Sequence, residues 1–196
     1  MAVHKFEVSG LVAAPWKNGG GTTREIAGYP LGAGLDAFDW RVSIAHISRN
    51  GPFSAFPGVD RVITLLDGAG VHLRTTDGAL DHRLNRPLAP FSFAGEAPVV
   101  GELLDGDCHD LNVMTRRDRC RAKVAVLRER ATWTGTGPGL LMAVHGPWRA
   151  VSDDGSVHTL LAQHGLWWDQ ASTAWQLENL ETASALLAVQ IDFLPA

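Results

Sequence analysis

The stretch Phe38-Asp-Trp-Arg-Val-Ser-Ile-Ala-His-Ile-Ser-Arg-Asn-Gly-Pro-Phe-Ser-Ala-Phe-Pro-Gly-Val-Asp-Arg-Val-Ile-Thr-Leu-Leu-Asp-Gly68 decides the fold. It reads as strand, turn, compact loop, strand and turn. Trp40 to Ile47 are β-branched, aromatic or small, and strand alternation puts Trp40, Val42 and Ile44 on one face and Arg41, Ser43 and Ala45 on the other. A cation and a hydroxyl among small neighbours suit the inner wall of a polar pocket. They equally suit a half-exposed antiparallel strand whose polar face meets water. Asn50-Gly51 is a hairpin turn signal. Pro52 to Gly58 then set two aromatics between two prolines, a stiff loop whose rings should pack on the barrel and form a pocket rim. Val62 to Leu66 form an apolar run of strand length closed by Asp67-Gly68, with Asp60 and Arg61 at its mouth.

Toward the N-terminus, Phe6 and Val8 share one face of a first strand. Trp16-Lys17-Asn18-Gly19-Gly20-Gly21 follows, and three glycines allow positive φ or a close backbone approach. A phosphate loop is excluded by context, because no Gly-x-x-x-x-Gly-Lys-Ser/Thr spacing is present and Thr22 to Ala27 read as a strand, with Thr23 and Glu25 on one face. Toward the C-terminus, turn signals recur about every ten residues, with two Asn-Gly and four Asp-Gly pairs in the chain and no amphipathic helix between them. Parallel strands need crossovers, so an α/β fold is unsupported and an all-β fold is predicted: two antiparallel barrel or jelly-roll-like halves packed as one unit. The boundary falls between residues 1–118 and 119–196. The span from Arg121 to Trp133 reads as one long strand or a bent pair. Four of the seven tryptophans, at 148, 167, 168 and 175, lie beyond the Gly135 to Gly139 loop and read as packing residues.

His109 to Thr115 repeat the alternation of the opening strand. Leu111 and Val113 face one way, while Asp110, Asn112 and Met114 face the other. A buried carboxylate or amide without a partner costs several kcal/mol. Asp110 and Asn112 are therefore either bonded into the first sheet, Asp110 with Arg41 for example, or turned toward a ligand.

Composition removes several classes of function. With 19% charged residues and a net charge of -4, the chain offers no basic face for nucleic acid, and the one basic cluster, Arg116 to Lys123, is interrupted by Asp118 and Cys120. No apolar segment resembles a signal peptide or spans a membrane, and Cys108 and Cys120 form no Cys-x-x-Cys pair. A reduced, cytoplasmic protein is expected. Two tandem barrels suggest a cupin, whose metal site needs His-x-His, a following Glu and a distant His. His72 stands alone, with Leu73 and Arg74 where a second ligand belongs, so neither metal nor cofactor is expected.

Four blocks carry a specific resemblance: Trp16 to Ile26, Phe38 to Ala45, Gly51 to Arg61 and Asp110 to Arg116. They resemble the signature blocks of the HutD/Ves family, in order and densest before residue 120. The resemblance implies a small cytoplasmic bacterial protein of bicupin fold without the metal triad. In HutD members it implies an accessory or regulatory role in histidine utilisation by sensing a metabolite; in the Ves branch, a tie to stress or cold response. The triple glycine at 19 to 21 is more similar to the HutD branch. No established enzymatic activity comes with the family. Two functions are carried forward. In the first, a non-catalytic protein binds a small carboxylate: Arg41 with Arg61 clamps the anion, and Ser43, Asn18 and Asn112 orient it, with Glu25, Asp110 and Met114 on the same polar walls. The resemblance suggests urocanate or formylglutamate as the anion. In the second, a metal-free isomerase or lyase acts on such a carboxylate with Glu25 or Asp110 as general base.

Overall fold

The computed structural model describes residues 2–169 and 173–195. The chain divides into two compact units, Val12–Cys120 and the combination of Met1–Leu11 with Arg121–Ala196. Among the described residues there is no α-helix, only a short 3-10 turn at Val8–Gly10. The strands are β1 (His4–Glu7), β2 (Ala13–Pro15), β3 (Gly21–Tyr29), β4 (Trp40–Ile47), β5 (Gly51–Pro52), β6 (Val59–Asp67), β7 (Val71–Arg74), β8 (Asp81–Leu84), β9 (Phe91–Ala94), β10 (Val100–Leu103) and β11 (Cys108–Arg116). The second half adds β12 (Cys120–Leu127), β13 (Ala131–Gly135), β14 (Gly139–His145), β15 (Trp148–Ser152), β16 (Val157–Leu160), β17 (His164–Trp168), β18 (Thr173–Asn179) and β19 (Ala185–Phe193).

In the unit Val12–Cys120, a six-stranded sheet ordered β2-β3-β4-β11-β6-β9 accompanies a four-stranded sheet ordered β5-β10-β7-β8. Every pairing in these two sheets is antiparallel. Ile47, Ile63, Leu65 and Cys108 of the larger sheet form one buried cluster with Val71, Leu73 and Leu84 of the smaller. Each fully buried aliphatic side chain there contributes roughly 1.5–3 kcal/mol relative to exposure. The predicted Asn50-Gly51 turn is also a tie, because Asn50 Oδ1 accepts the Leu103 backbone N–H at 2.8 Å.

The glycine triplet answers a steric demand. Gly19 has a φ of +68°, and a Cβ on Gly21 would stand 2.1 Å from the His46 carbonyl oxygen. Only glycine lets β3 start that close to the end of β4.

The other unit has a five-stranded sheet ordered β1-β17-β14-β19-β12 and a four-stranded sheet ordered β13-β18-β15-β16. Its interior is an apolar cluster that includes Trp133, Trp148, Trp168, Trp175, Leu141, Leu166 and Leu186. Three of the four tryptophans read as packing residues are in that cluster, and the fourth, Trp167, stacks on His4 at 4.1 Å. Two details differ from the sequence reading. The first strand, placed there within 1–118, pairs with β17 instead, Phe6 opposite Gly165; a Cβ at Gly165 would meet the Phe6 ring at 2.3 Å, so the ring fills the space that glycine leaves. Of the two forms left open for Arg121 to Trp133, the bent pair is the one found, since β12 and β13 enter different sheets.

Candidate functional site

Apart from Asn18, the polar residues singled out in the sequence meet on the inner face of the six-stranded sheet. Register defines three rows across β3, β4, β11, β6 and β9. The first holds Gly28, Arg41, Met114, Arg61 and Phe93; the second, Glu25, Ser43, Asn112, Ile63 and Phe91; the third, Thr23, Ala45, Asp110 and Leu65. A bulge between Glu25 and Ala27 keeps β3 in step with β4. The four-stranded sheet's aliphatic cluster lies on the side of Ile63, Leu65 and Cys108, so the face is apolar at one end and polar at the other.

Arg61 is the central cation. It is 7% exposed, and its Nε donates to Asn112 Oδ1 at 3.3 Å. The guanidinium stands 5.4 Å from the Phe53 ring centroid, 5.9 Å from that of Phe56 and 5.0 Å from that of Phe93. Such cation–π contacts hold a desolvated guanidinium without neutralising it. Among the described residues no carboxylate lies within 4 Å of it, and none accepts a hydrogen bond from its two terminal nitrogens. Burial pulls the Arg61 pKa down to about 10, opposed by the charge of Asp110 and reinforced by that of Arg41.

Asp110 is 2% exposed and its carboxylate accepts no hydrogen bond from the described residues. Burial pushes its pKa up to about 7, with Arg61 the charge that opposes the rise. A carboxyl that changes charge near neutrality on the same face as an unpaired guanidinium can exchange a proton or accept a hydrogen bond from something bound there.

Arg41 is more committed than the sequence suggested. Its Nε donates to Glu25 Oε2 at 2.6 Å and its Nη1 to Ser43 Oγ at 3.2 Å. Its expected buried partner, Asp110, stands two rows away, whereas Glu25 lies in the adjacent row on the neighbouring strand. The pair spans an exposure gradient, since the Glu25 side chain is 48% exposed and that of Arg41 11%. Glu25 thus sits at the rim and Arg61 at the floor.

Asn18 and Met114 have other duties. Asn18 Oδ1 accepts the Gly20 N–H at 2.9 Å and its amide donates to the Pro52 carbonyl at 3.5 Å, which ties the glycine turn to β5. Met114 shares the inner row with Arg41 and Arg61 but is buried against Phe38, Val59 and Phe56. The loop rings at 53 and 56 take the packing role expected of them, over Arg61. Phe93 was missed; the Phe91-Ser92-Phe93 alternation is the signal that would have put both rings on this face.

The histidines belong elsewhere. His46 and His109 stack at 4.6 Å on the opposite parity of β4 and β11, bonded to Asp107 and Asp67 at 2.9 and 2.8 Å, while His72 bonds Asp81 at 2.6 Å. Among the described residues no group of three or more His, Cys, Asp or Glu side chains is placed to hold a metal ion. Two arginines on the polar inner face are poor company for a transition metal. Burial, together with the charge of Asp110, raises the Cys108 thiol to about 12, and burial raises Cys120 to about 12, so neither is a ready nucleophile. Among the described residues no helix is long and apolar enough to cross a membrane.

These features define an all-β, cupin-like protein whose polar inner face carries arginines and, among the described residues, no cluster of metal-ligating side chains. Oxalate decarboxylase from Lactobacillus farciminis shows the likeness of fold alone, with a TM-score of 0.65, 10% identity and coverage of 96% of this chain and 85% of that one. The HutD family model matches residues 9–187, and the chain belongs to that family. Protein Ves from Cronobacter sakazakii is 41% identical over 190 residues, covering 96% of this chain and 98% of the relative. Among solved structures, a conserved protein of unknown function from Pseudomonas aeruginosa PAO1 matches with a TM-score of 0.86 and 32% identity over 99% of this chain and 100% of the other. HutD from Pseudomonas fluorescens SBW25, described as a formate condition, matches with a TM-score of 0.83 and 29% identity over the same shares.

Proposed function

We propose that this protein is a non-catalytic binder of a small carboxylate, held on the inner face of the Val12–Cys120 unit. The observation that carries the reading is Arg61: a buried guanidinium with no carboxylate partner among the described residues, steadied by Asn112 and three phenylalanine rings. Burying an uncompensated charge is costly, and an anion that forks onto its terminal nitrogens offsets that cost. Asn112 fixes the guanidinium, Arg41 and Ser43 line the approach, and Glu25 holds Arg41 at the rim. The reading extends to an accessory or regulatory role in histidine utilisation, in the cytoplasm, with urocanate or formylglutamate as the anion; membership of the HutD family is what motivates that extension.

Calorimetric titration with urocanate, formylglutamate, formate and an uncharged amide analogue of each tests the reading. Saturable binding of at least one anion, lost in its amide, is expected. Absence of binding across the panel contradicts it.

A metal-free isomerase or lyase is the second reading, favoured by the raised pKa of Asp110, which suits a general base. Glu25 suits that role less, since it is exposed and paired with Arg41. Exchange of solvent deuterium into a bound carboxylate, lost in Asp110→Asn, would support catalysis over binding alone.

A further inference from the structure

The candidate site contains a titrating group that a plain anion hollow does not require. Asp110 lies two residues from Asn112 and four from Met114, the direct partner of Arg61 on β11. The Arg61 side chain leans along the sheet across those rows: its Nε reaches Asn112, and its charge is felt at Asp110. Its terminal nitrogens, without hydrogen bonds to described residues, belong to the same inner face as Asp110, with Asn112 in the row between. A carboxylate seated on them brings a second negative charge to a buried carboxylate that accepts no hydrogen bond from the described residues. Two carboxylates in one desolvated space do not both stay ionised.

We propose that anion binding at Arg61 is coupled to the uptake of one proton by Asp110, so that the protein binds a carboxylate and a proton together. The inference rests on the Arg61 site described above. The proton comes from solvent and forms the Asp110 O–H bond; no other bond is made or broken. The protonated carboxyl can then donate to the bound carboxylate, a charge-assisted contact that the ionised form cannot make.

The surroundings leave Asp110 as the group that takes the proton. Facing it are Arg61 on β6, Arg41 on β4 with its charge met by Glu25 on β3, and Cys108 two residues earlier on its own strand. β9 contributes Phe91 and Phe93, and the four-stranded sheet contributes Val71, Leu73, Leu84 and His82, which stacks on Phe91 at 3.6 Å and whose pKa burial lowers. His46 and His109 lie on the opposite face, bonded to Asp107 and Asp67. Burial already holds Asp110 near a pKa of about 7, so an added anion keeps it protonated to higher pH.

The experiment uses sodium formate, which stays ionised throughout, as the probe. Backbone amide shifts of the inner-face strands are followed by NMR from about pH 5.5 to about pH 8.5, in wild type and Asp110→Asn. Calorimetry of wild type in two buffers of different ionisation heat counts the protons. The dissociation constant should be level below about pH 6 and rise toward tenfold per pH unit above about 7. Asp110→Asn should give a level profile, and wild type at high pH should take up close to one proton per formate. Formate binding with a level wild-type profile and no proton uptake overturns the coupling but leaves the Arg61 site standing. Inner-face amides that do not move at any pH overturn both. Because the proton count needs wild type alone, poor folding of the variant does not shield the proposal.

Discussion

Arg61 and Asp110 share the inner face of one sheet and feel each other's charge without closing an ion pair. Each is nearly inaccessible, and each keeps hydrogen-bonding capacity that no described residue uses. A fold under selection for stability alone would pair them or replace both with apolar residues of similar volume. Their separation is the physical basis for the binding reading.

Asp110 makes stability depend on pH. Its carboxyl is raised in the fold from the ordinary 3.8 to about 7, so its stabilising share is complete below about pH 3.8, falls away as pH climbs through about 7, and stays lost above. Asp110→Asn should accordingly stabilise the protein by about 2–4 kcal/mol at pH 8 and make little difference below pH 4. Denaturant unfolding at the two pH values checks this. A variant less stable than wild type at pH 8 would show that the carboxylate is paired after all.

Arg61 restrains that same carboxyl. Arg61→Met keeps an unbranched side chain among the three phenylalanine rings but removes the charge that opposes the burial of Asp110. The Asp110 carboxyl carbon, followed by NMR, should therefore titrate at higher pH in the variant than in wild type. An unchanged midpoint would mean that the two groups do not communicate.

The other unit should respond to packing rather than to charge. Trp175 is fully buried against Trp168, with ring centroids 5.3 Å apart. Trp175→Ala should cost about 3–5 kcal/mol, read as a lower thermal midpoint, with no change in the pH dependence set by Asp110. A loss under about 1 kcal/mol would mean that the cluster closes over the gap.

Much of the fold was legible because it rests on period-two alternation and turn chemistry. Trp40 to Ile47 and Asp110 to Met114 gave their faces directly, and those faces share one sheet. Pairing between distant segments was less legible. Nothing local in Val3 to Val8 says that this strand joins β17, because the partner lies more than 150 residues away and the only trace is the glycine that admits Phe6. The site shows the same limit. Its residue types were readable, but which cation is free depends on register: the bulge after Glu25 keeps that carboxylate beside Arg41 and leaves Arg61 without a carboxylate partner. Asn18 looked like a ligand group because turns and pockets use the same amide chemistry, and here both ends of that amide serve the turn.

The most direct measurement of the central claim is calorimetric titration of formylglutamate and urocanate into wild type, Arg61→Lys, Arg61→Met and Arg41→Ala, with thermal unfolding to establish that each is folded. A charge-assisted contact is worth about 1.5–3 kcal/mol, so Arg61→Met should weaken binding of the preferred anion by roughly ten- to 150-fold. Arg61→Lys should lose affinity as well, since the ammonium cannot fork, and Arg41→Ala should lose less than Arg61→Met because Arg41 is already ion-paired with Glu25 and bonded to Ser43. Anion binding that is undiminished in a folded Arg61→Met protein would contradict the account.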